Sequence, residues 1–164
     1  MTFRPATGSQ ILLTTVFASL LLLTLGIFFL ILDHRYRERG PVHHVFRVSG
    51  ALMLVLLIGS FNFRIRRYEI ASGNLTIKIG LASKVFSLQG LENVRIEEKP
   101  FAGCRRDLGI GGFWSNYGQF SSQRWGKFLA YASDTSRGVL LIWPDKKLLV
   151  TPADAPLFVQ SLRP

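Results

Sequence analysis

A run of 22 uncharged residues near the N-terminus is the feature that most restricts what this chain can fold into. The run is ILLTTVFASLLLLTLGIFFLIL, from Ile11 to Leu32. A helix of that length measures about 33 Å, and the hydrocarbon core of a bilayer is about 30 Å thick. A cleaved signal peptide is the alternative, but DHRYRERG follows where small residues would mark a cleavage site. The run therefore predicts a retained transmembrane helix.

A second apolar segment runs from Val45 to Phe63; it is shorter than the first and, unlike it, contains an arginine and an asparagine. Its polar residues Arg47 and Asn62 lie near its ends, where their side chains can reach the membrane interface. Small residues in the segment would permit close approach to the first helix, and they are Ser49, Gly50, Gly59 and Ser60. We therefore expect a transmembrane helical hairpin.

This hairpin is expected to occupy residues 1–66, with helices at about 11–32 and 45–63. Two crossings would place both ends of the chain on one side of the membrane. Lysine and arginine are divided almost evenly between the connecting loop and the other side, so they favour neither orientation strongly. The unpaired Cys104 is typical of a reducing compartment, and we expect the C-terminal domain to be cytoplasmic.

From about Arg67 onward, the pattern of apolar residues is typical of β-strands, in which they often recur at every second position. LTIKI, from Leu75 to Ile79, alternates apolar and polar residues and follows the turn-forming pair Gly73 and Asn74. The predicted strands are YEIAS, LTIKI, KVFSL, ENVRIEE, KFLAYAS, VLLIW and KLLVT. The last segment, Asp154 to Arg163, has a helical pattern with Asp154 as its cap. The pattern predicts seven short strands and one helix.

This order of elements resembles the pleckstrin-homology (PH) domain, and the details are similar to bacterial PH domains that follow transmembrane helices. The resemblance rests on YEIASGNLTIKIG, on GIGGFWSNYGQF followed by GKFLAYAS, and on LLVTPADAPLFVQSL. It implies a mainly β domain at residues 67–164, in which about seven antiparallel strands form a partly open barrel with one C-terminal capping helix. It also implies a binding or scaffolding role in a multi-pass protein of the bacterial inner membrane.

The segment from Gly109 to Phe120 combines glycines with aromatic residues. A phosphate-binding glycine loop opens a helix, whereas a strand is expected after this one. The segment is therefore interpreted as a long connection between strands, or as a surface that contacts a protein partner or the bilayer interface. In the second interpretation the contact residues are Phe113, Trp114, Tyr117 and Trp125.

Three arginines follow directly after the second apolar segment: Arg64, Arg66 and Arg67. They predict either a topology signal or a surface that attracts anionic lipid head groups. In PH domains that bind inositol phosphates, the basic ligands commonly lie around the loop between the first two strands. Here that loop, residues 72–74, carries no positive charge, so we do not expect specific recognition of this kind.

No set of titratable residues predicts an enzyme. The three histidines precede the second apolar segment, so Cys104 has no histidine in its own domain to act as a base. The net charge of +10 is dispersed and matches no nucleic-acid-binding motif. We therefore expect a non-enzymatic module that binds a protein partner, or itself, at the membrane, with anionic lipid binding as the alternative. No catalytic residue, cofactor, metal, nucleic acid or small-molecule substrate is expected.

Overall fold

The computed structural model describes residues 1–37 and 42–162 of the chain. Its first two helices, α1 (Ser9–Arg35) and α2 (Val42–Ser60), pack as a hairpin, and a 3-10 turn at Phe61–Phe63 follows α2. Both helices are long and apolar enough to cross a membrane. Their bounds agree with the apolar segments from which they were predicted.

Small residues bring α1 and α2 together. A Cβ atom on Gly50 would lie 3.0 Å from the carbonyl oxygen of Gly26, so a larger residue would push the helices apart. Of the other small residues expected at this contact, Gly59 faces open space and Ser60 bonds to Trp114 of the β domain instead. Gly26 and Gly50 therefore form a close contact between the two helices.

Within the described residues, ten strands form two sheets. The four-stranded sheet has the order β1 (Thr2–Phe3), β2 (Ile65–Ala71), β3 (Asn74–Ile79), β4 (Ala82–Ser87). The six-stranded sheet contains β5 (Asn93–Glu98), β6 (Cys104–Phe113), β7 (Ser115–Ser122), β8 (Gly126–Ala132), β9 (Arg137–Ile142) and β10 (Lys147–Val150). Its order is β5-β9-β10-β8-β7-β6.

The expected strand set was wrong in two respects. There are more than seven strands, and they are not all antiparallel, because β10 pairs in parallel with β8. The mainly β character and the final helix are confirmed, but the β domain consists of two open sheets. The β9–β10 hairpin inserts between β5 and β8, and this insertion forces the parallel pair.

The interpretation of residues 109–120 as a connection was also wrong. They form the end of β6 and most of β7, which pair as an antiparallel hairpin. Gly109 and Gly118 lie opposite each other with φ of 128° and 130°, backbone angles that residues other than glycine rarely adopt. A Cβ on either would collide with the backbone of the other strand. The glycines are therefore strand residues at a close approach of two backbones.

The main core lies between the sheets and is closed by α3 (Ala155–Leu162). As expected, the Asp154 carboxylate caps this helix, accepting a hydrogen bond from the Leu157 N–H at 3.0 Å. Phe158 is fully buried, and its ring contacts those of Phe3 and Tyr68. Arg163, the expected last residue of the helix, lies outside the described residues.

The segment before α1 packs on the β domain. β1 pairs with β2, and Phe3 is buried in the main core. The N–H of Ala6 donates to the carbonyl of Thr151 at 2.8 Å, and the N–H of Gly8 donates to the carbonyl of Ser133 at 2.9 Å. Residues that precede the helical hairpin in sequence thus complete a domain that follows it.

Candidate functional site

The turn between β6 and β7 lies against the base of the helical hairpin, where α1 begins and α2 ends. The backbone N–H of Trp114 donates to Oγ1 of Thr15 at 2.9 Å, and its indole Nε1–H donates to Oγ of Ser60 at 3.0 Å. The ring also contacts Phe61, with 4.6 Å between centroids. Ser115 adds a hydrogen bond to the carbonyl of Phe63 at 2.7 Å. This turn therefore connects the β domain to both helices.

The aromatic side chains proposed as a partner surface make contacts inside the chain. Tyr117 stacks on Tyr131 with an interplanar angle of 4°, and Trp125 is only 7% exposed and packs against Phe128. Phe113 is half-buried beside Trp114. The structure places these rings in the sheet, in the core and at the turn, and does not bring the four together on one exposed surface.

A bulge in β2 exposes two neighbouring arginines. Ile65 pairs with Ile79 and Arg67 pairs with Lys78, so that Arg66 is an extra residue in the strand. In a regular strand neighbouring side chains point to opposite faces, but a bulge interrupts that alternation. Arg66 and Arg67 are consequently both exposed between buried residues on either side.

The third arginine, Arg64, is also exposed and precedes the first residue of β2. Its guanidinium carbon lies 5.9 Å from the centroid of the Trp114 ring, which is within the range of a cation–π contact. The Arg64 backbone is held as well, since its carbonyl accepts a hydrogen bond from the N–H of Gly80 at 2.9 Å. This arginine thus lies between the bulge and the hairpin base.

Sequence reasoning did not select Arg4 as a site residue, yet the structure places it beside Arg64 and Arg66. Together they line a cleft of about 530 Å³ between the N-terminal segment and the chain that leaves α2. We call this space the arginine cleft; its lining is Arg4, Pro5, Thr7, Phe61, Arg64, Ile65 and Arg66. Pairing of β1 with β2 creates this proximity between distant sequence positions, and a two-residue strand gives no pattern that could predict it.

A smaller cavity of about 170 Å³ adjoins the arginine cleft. It shares Pro5, Thr7, Arg64 and Ile65 with the cleft and extends between α1 and the turn of β6 and β7. Its other lining residues are mainly apolar: Ala6, Ile11, Leu12, Thr15, Trp114 and Ser133. We call it the apolar cavity. The two spaces together have a cationic end and an apolar end.

The arginines of the cleft have no carboxylate partner within residues 1–37 and 42–162, where the acidic groups in ion pairs bind other arginines. Arg67, which lies outside the cleft, pairs with Glu69. A guanidinium group presents several N–H donors in a fixed plane and binds phosphate or carboxylate through paired hydrogen bonds. The cleft is therefore suited chemically to an anion.

Cys104 does not have the surroundings of a reactive thiol. Burial raises the pKa of the thiol, although the charge of Arg124 and a hydrogen bond with Ser122 oppose that shift. Its Sγ lies 3.3 Å from the carbonyl oxygen of Pro100, which the thiol can donate to. A raised pKa leaves less thiolate at neutral pH, and the thiolate is the nucleophilic form.

The family model of the bacterial PH domain matches residues 66–164. The match begins within β2 and covers all later strands and α3. It confirms the resemblance inferred from the strand order, the glycine-rich segment and the final helix. No curated protein and no solved structure matches the chain. Because the matched residues are more than half of the sequence, the chain belongs to the bacterial PH domain family.

Proposed function

We propose that this protein is a membrane-anchored, non-enzymatic interaction module in which α1 and α2 span the bilayer. The apolar side chains of both helices are largely exposed, as expected for surfaces that contact lipid. The β domain would then lie at the membrane surface, since Trp114 binds the hairpin base through Thr15 and Ser60. Tryptophan is typical of the interfacial layer in which this turn would lie.

The function that the geometry supports best is binding of anionic lipid head groups by the basic face formed by Arg64, Arg66 and Arg67. The observation that carries this proposal is their exposure directly after α2, at the level where the chain would leave the bilayer. Each arginine near an anionic membrane surface contributes about 1 kcal/mol. Attraction of this kind weakens as salt screens the charges.

We also propose that the β domain lies on the cytoplasmic side of a bacterial inner membrane. The support is electrostatic, since the cytoplasmic leaflet carries anionic lipids and basic juxtamembrane residues favour that side. Cys104 also has no disulfide partner, because it is the only cysteine of the chain. Labelling of Cys104 in intact and in permeabilised cells would test the orientation.

Lipid composition around the protein tests the basic face. We would extract the full-length chain from bacterial membranes in polymer-bounded discs and measure the phosphatidylglycerol fraction of the extracted lipid at low and high salt. A triple variant, Arg64→Gln, Arg66→Gln and Arg67→Gln, should lose anionic lipid at low salt. The control carries the same charge change far from the hairpin base, at Arg105, Lys127 and Lys146. Equal lipid composition in the wild type and both variants would count against the proposal.

A second candidate function is binding of a protein partner, or self-association, through the open edge of the four-stranded sheet. β4 is an edge strand, and Val85 on it is 61% exposed, with Leu81 in the preceding turn 89% exposed. An edge strand can pair with a strand of another chain through its free backbone groups. Phe113, half-buried at the β6–β7 turn, is a further contact residue in this proposal.

Self-association through β4 can be tested by sedimentation of the full-length protein in detergent. A charged residue at the edge, Val85→Lys, should shift the protein toward the monomer, whereas Leu157→Lys on α3 provides a control at an exposed apolar residue outside the sheets. A wild-type protein that is monomeric at all concentrations would exclude pairing with a second copy.

A further inference from the structure

We propose that the arginine cleft and the apolar cavity together form a binding site for one phospholipid molecule. Arg4, Arg64 and Arg66 bind its phosphate, and the apolar cavity holds the start of an acyl chain that continues along α1. This inference rests on the proposed function, because it takes the lipid from a bilayer spanned by α1 and α2. It adds a discrete site, with defined stoichiometry, to a general attraction.

The backbone holds each cleft arginine in place independently. Arg4 follows β1, and its carbonyl accepts a hydrogen bond from the N–H of Ala153 at 2.9 Å. Arg66 occupies the bulge of β2 between two pairs of the sheet. Arg64 is fixed by its backbone bond to Gly80 and by the ring of Trp114. A fixed backbone keeps the three arginine side chains within reach of one space, so less conformational entropy is lost when an anion binds than if the chain itself had to be ordered.

The charge of the cleft is complementary to a phosphate diester. Three arginines line one space without a carboxylate partner among the residues described, and like charges that lie close together repel each other. An anion between them removes this repulsion and accepts charge-assisted hydrogen bonds. Arg67 differs from its neighbour Arg66, because its guanidinium already binds Glu69. The site therefore depends on Arg66 more than on Arg67.

The apolar cavity distinguishes a lipid from free phosphate. Beyond the residues that it shares with the cleft, it is lined by Ile11 and Leu12 at the start of α1 and by Trp114 of the β6–β7 turn. An acyl chain that leaves the cleft in this direction lies along the exposed apolar surface of α1. The cleft volume of about 530 Å³ falls within the range of about 300–1,000 Å³ that is common for small-molecule sites. Both features favour an amphiphile with one phosphate.

Native mass spectrometry of the full-length protein in detergent tests the site, with phosphatidylglycerol or phosphatidylcholine added in increasing amounts. We expect one phosphatidylglycerol to bind per chain in preference to phosphatidylcholine. Arg4→Gln and Arg66→Gln should each weaken that adduct about tenfold, the typical loss for one charge-assisted contact. Arg67→Gln makes the same charge change one residue away, within the basic face but outside the cleft lining, and should weaken the adduct less. Lys127→Gln, at an exposed position outside both the basic face and the cleft, is the control. The melting temperature of each variant shows whether it remains folded.

The outcomes separate this site from the general lipid attraction. If Arg66→Gln and Arg67→Gln lose equal amounts of lipid, the basic face attracts lipid without a discrete site, and only the present inference is overturned. If the wild type itself does not prefer phosphatidylglycerol to phosphatidylcholine, the proposed function also fails. Glycerol 3-phosphate should not displace the adduct at comparable concentration. Displacement by it would show that the ligand is a free phosphate ester and would overturn the assignment to lipid.

Discussion

The indole N–H of Trp114 donates a hydrogen bond to the Ser60 hydroxyl across 3.0 Å, joining the tip of the β6–β7 hairpin to the last residue of α2. Ser60 in turn donates to the carbonyl of Leu57 within its own helix. The backbone of Trp114 is bonded to Thr15 of α1 at the same time. One residue thus fixes the β domain against both helices, and its removal should loosen that junction.

We expect Trp114→Ala to increase hydrogen exchange at the β6–β7 turn and to lower the free energy of unfolding by about 3 kcal/mol, since a large side chain and its contacts are lost. Trp114→Phe keeps a ring but loses the N–H donor, and should cost about 1 kcal/mol. Exchange followed by mass spectrometry on the full-length protein provides the measurement. Phe113→Ala is the neighbouring control. An equal effect of the Phe113 and Trp114 substitutions would argue against a special role for the bond to Ser60.

The N-terminal strand should contribute directly to the stability of the β domain. Phe3 is 7% exposed and packs edge-on against Phe158 at 5.0 Å between centroids. Phe3→Ala should lower the free energy of unfolding by about 3 kcal/mol, the cost of a large cavity in a core. Thr2→Ala, at the exposed position beside it, should have little effect. Thermal unfolding in detergent compares the two, and matching curves would contradict the packing described.

Gly109 and Gly118 should not tolerate alanine. At their positive φ values an added Cβ meets the backbone of the paired strand, so the hairpin must shift. The conformational cost alone is on the order of 1–3 kcal/mol per position, before the collision is counted. Gly59→Ala, which faces open space on a helix, should instead leave stability unchanged or raise it. Measured melting temperatures that fall equally for Gly59→Ala and Gly109→Ala would refute the argument.

The protein should lose stability in strongly alkaline solution through Tyr68. Burial raises the pKa of this tyrosine from about 10 to about 12, although hydrogen bonds with Thr151 and Ser133 oppose the shift. The neutral phenol donates to the carbonyl of Tyr131 at 2.8 Å. Because folding raises this pKa, the contribution of the neutral Tyr68 phenol to the free energy of unfolding is complete below pH 10 and is lost as the pH increases toward 12. The expected loss is on the order of 2–3 kcal/mol.

Tyr68→Phe provides the control for this pH dependence. The variant lacks the hydroxyl and should be less stable at neutral pH, because the Tyr131 carbonyl loses its donor. Its stability should fall less steeply than that of the wild type between pH 10 and 12. Burial also raises the pKa of Tyr117 and of Tyr131, so a smaller decline remains. Denaturant unfolding at several pH values in this range gives the free energy of unfolding of both proteins. If that free energy falls equally steeply with pH in the two proteins, Tyr68 is not the main titrating group.

Some elements could be predicted because their residues carry a local signal. The uncharged run from Ile11 to Leu32 predicts α1 by length alone, and Asp154 predicts the start of α3 by its capping chemistry. The hairpin of β2 and β3 follows from the alternation of LTIKI and the turn at Gly73. In each case the physical cause acts within a few neighbouring residues.

The β6–β7 hairpin could not be predicted in this way, because its glycines interrupt the apolar alternation that marks strands. Gly109 and Gly118 are needed there because the backbones of the two strands approach closely. That approach depends on the pairing of the strands and not on the residues next to each glycine in the sequence. The parallel pairing of β10 with β8 is likewise decided by sheet order and not by local sequence. The local sequence pattern is therefore that of a connection, although the chain forms two strands there.

By itself, the sequence determined the apolar helical hairpin, most of the strands, the capping helix and membership of a PH-like family, since these depend on local periodicity and spacing. Only the tertiary structure decided that Arg4 joins Arg64 and Arg66, and that Trp114 bonds to Ser60. These residues come from separate segments, and burial of Phe3 in the core brings the first segment to the others. The candidate site is therefore a product of packing between distant segments, which no local pattern encodes.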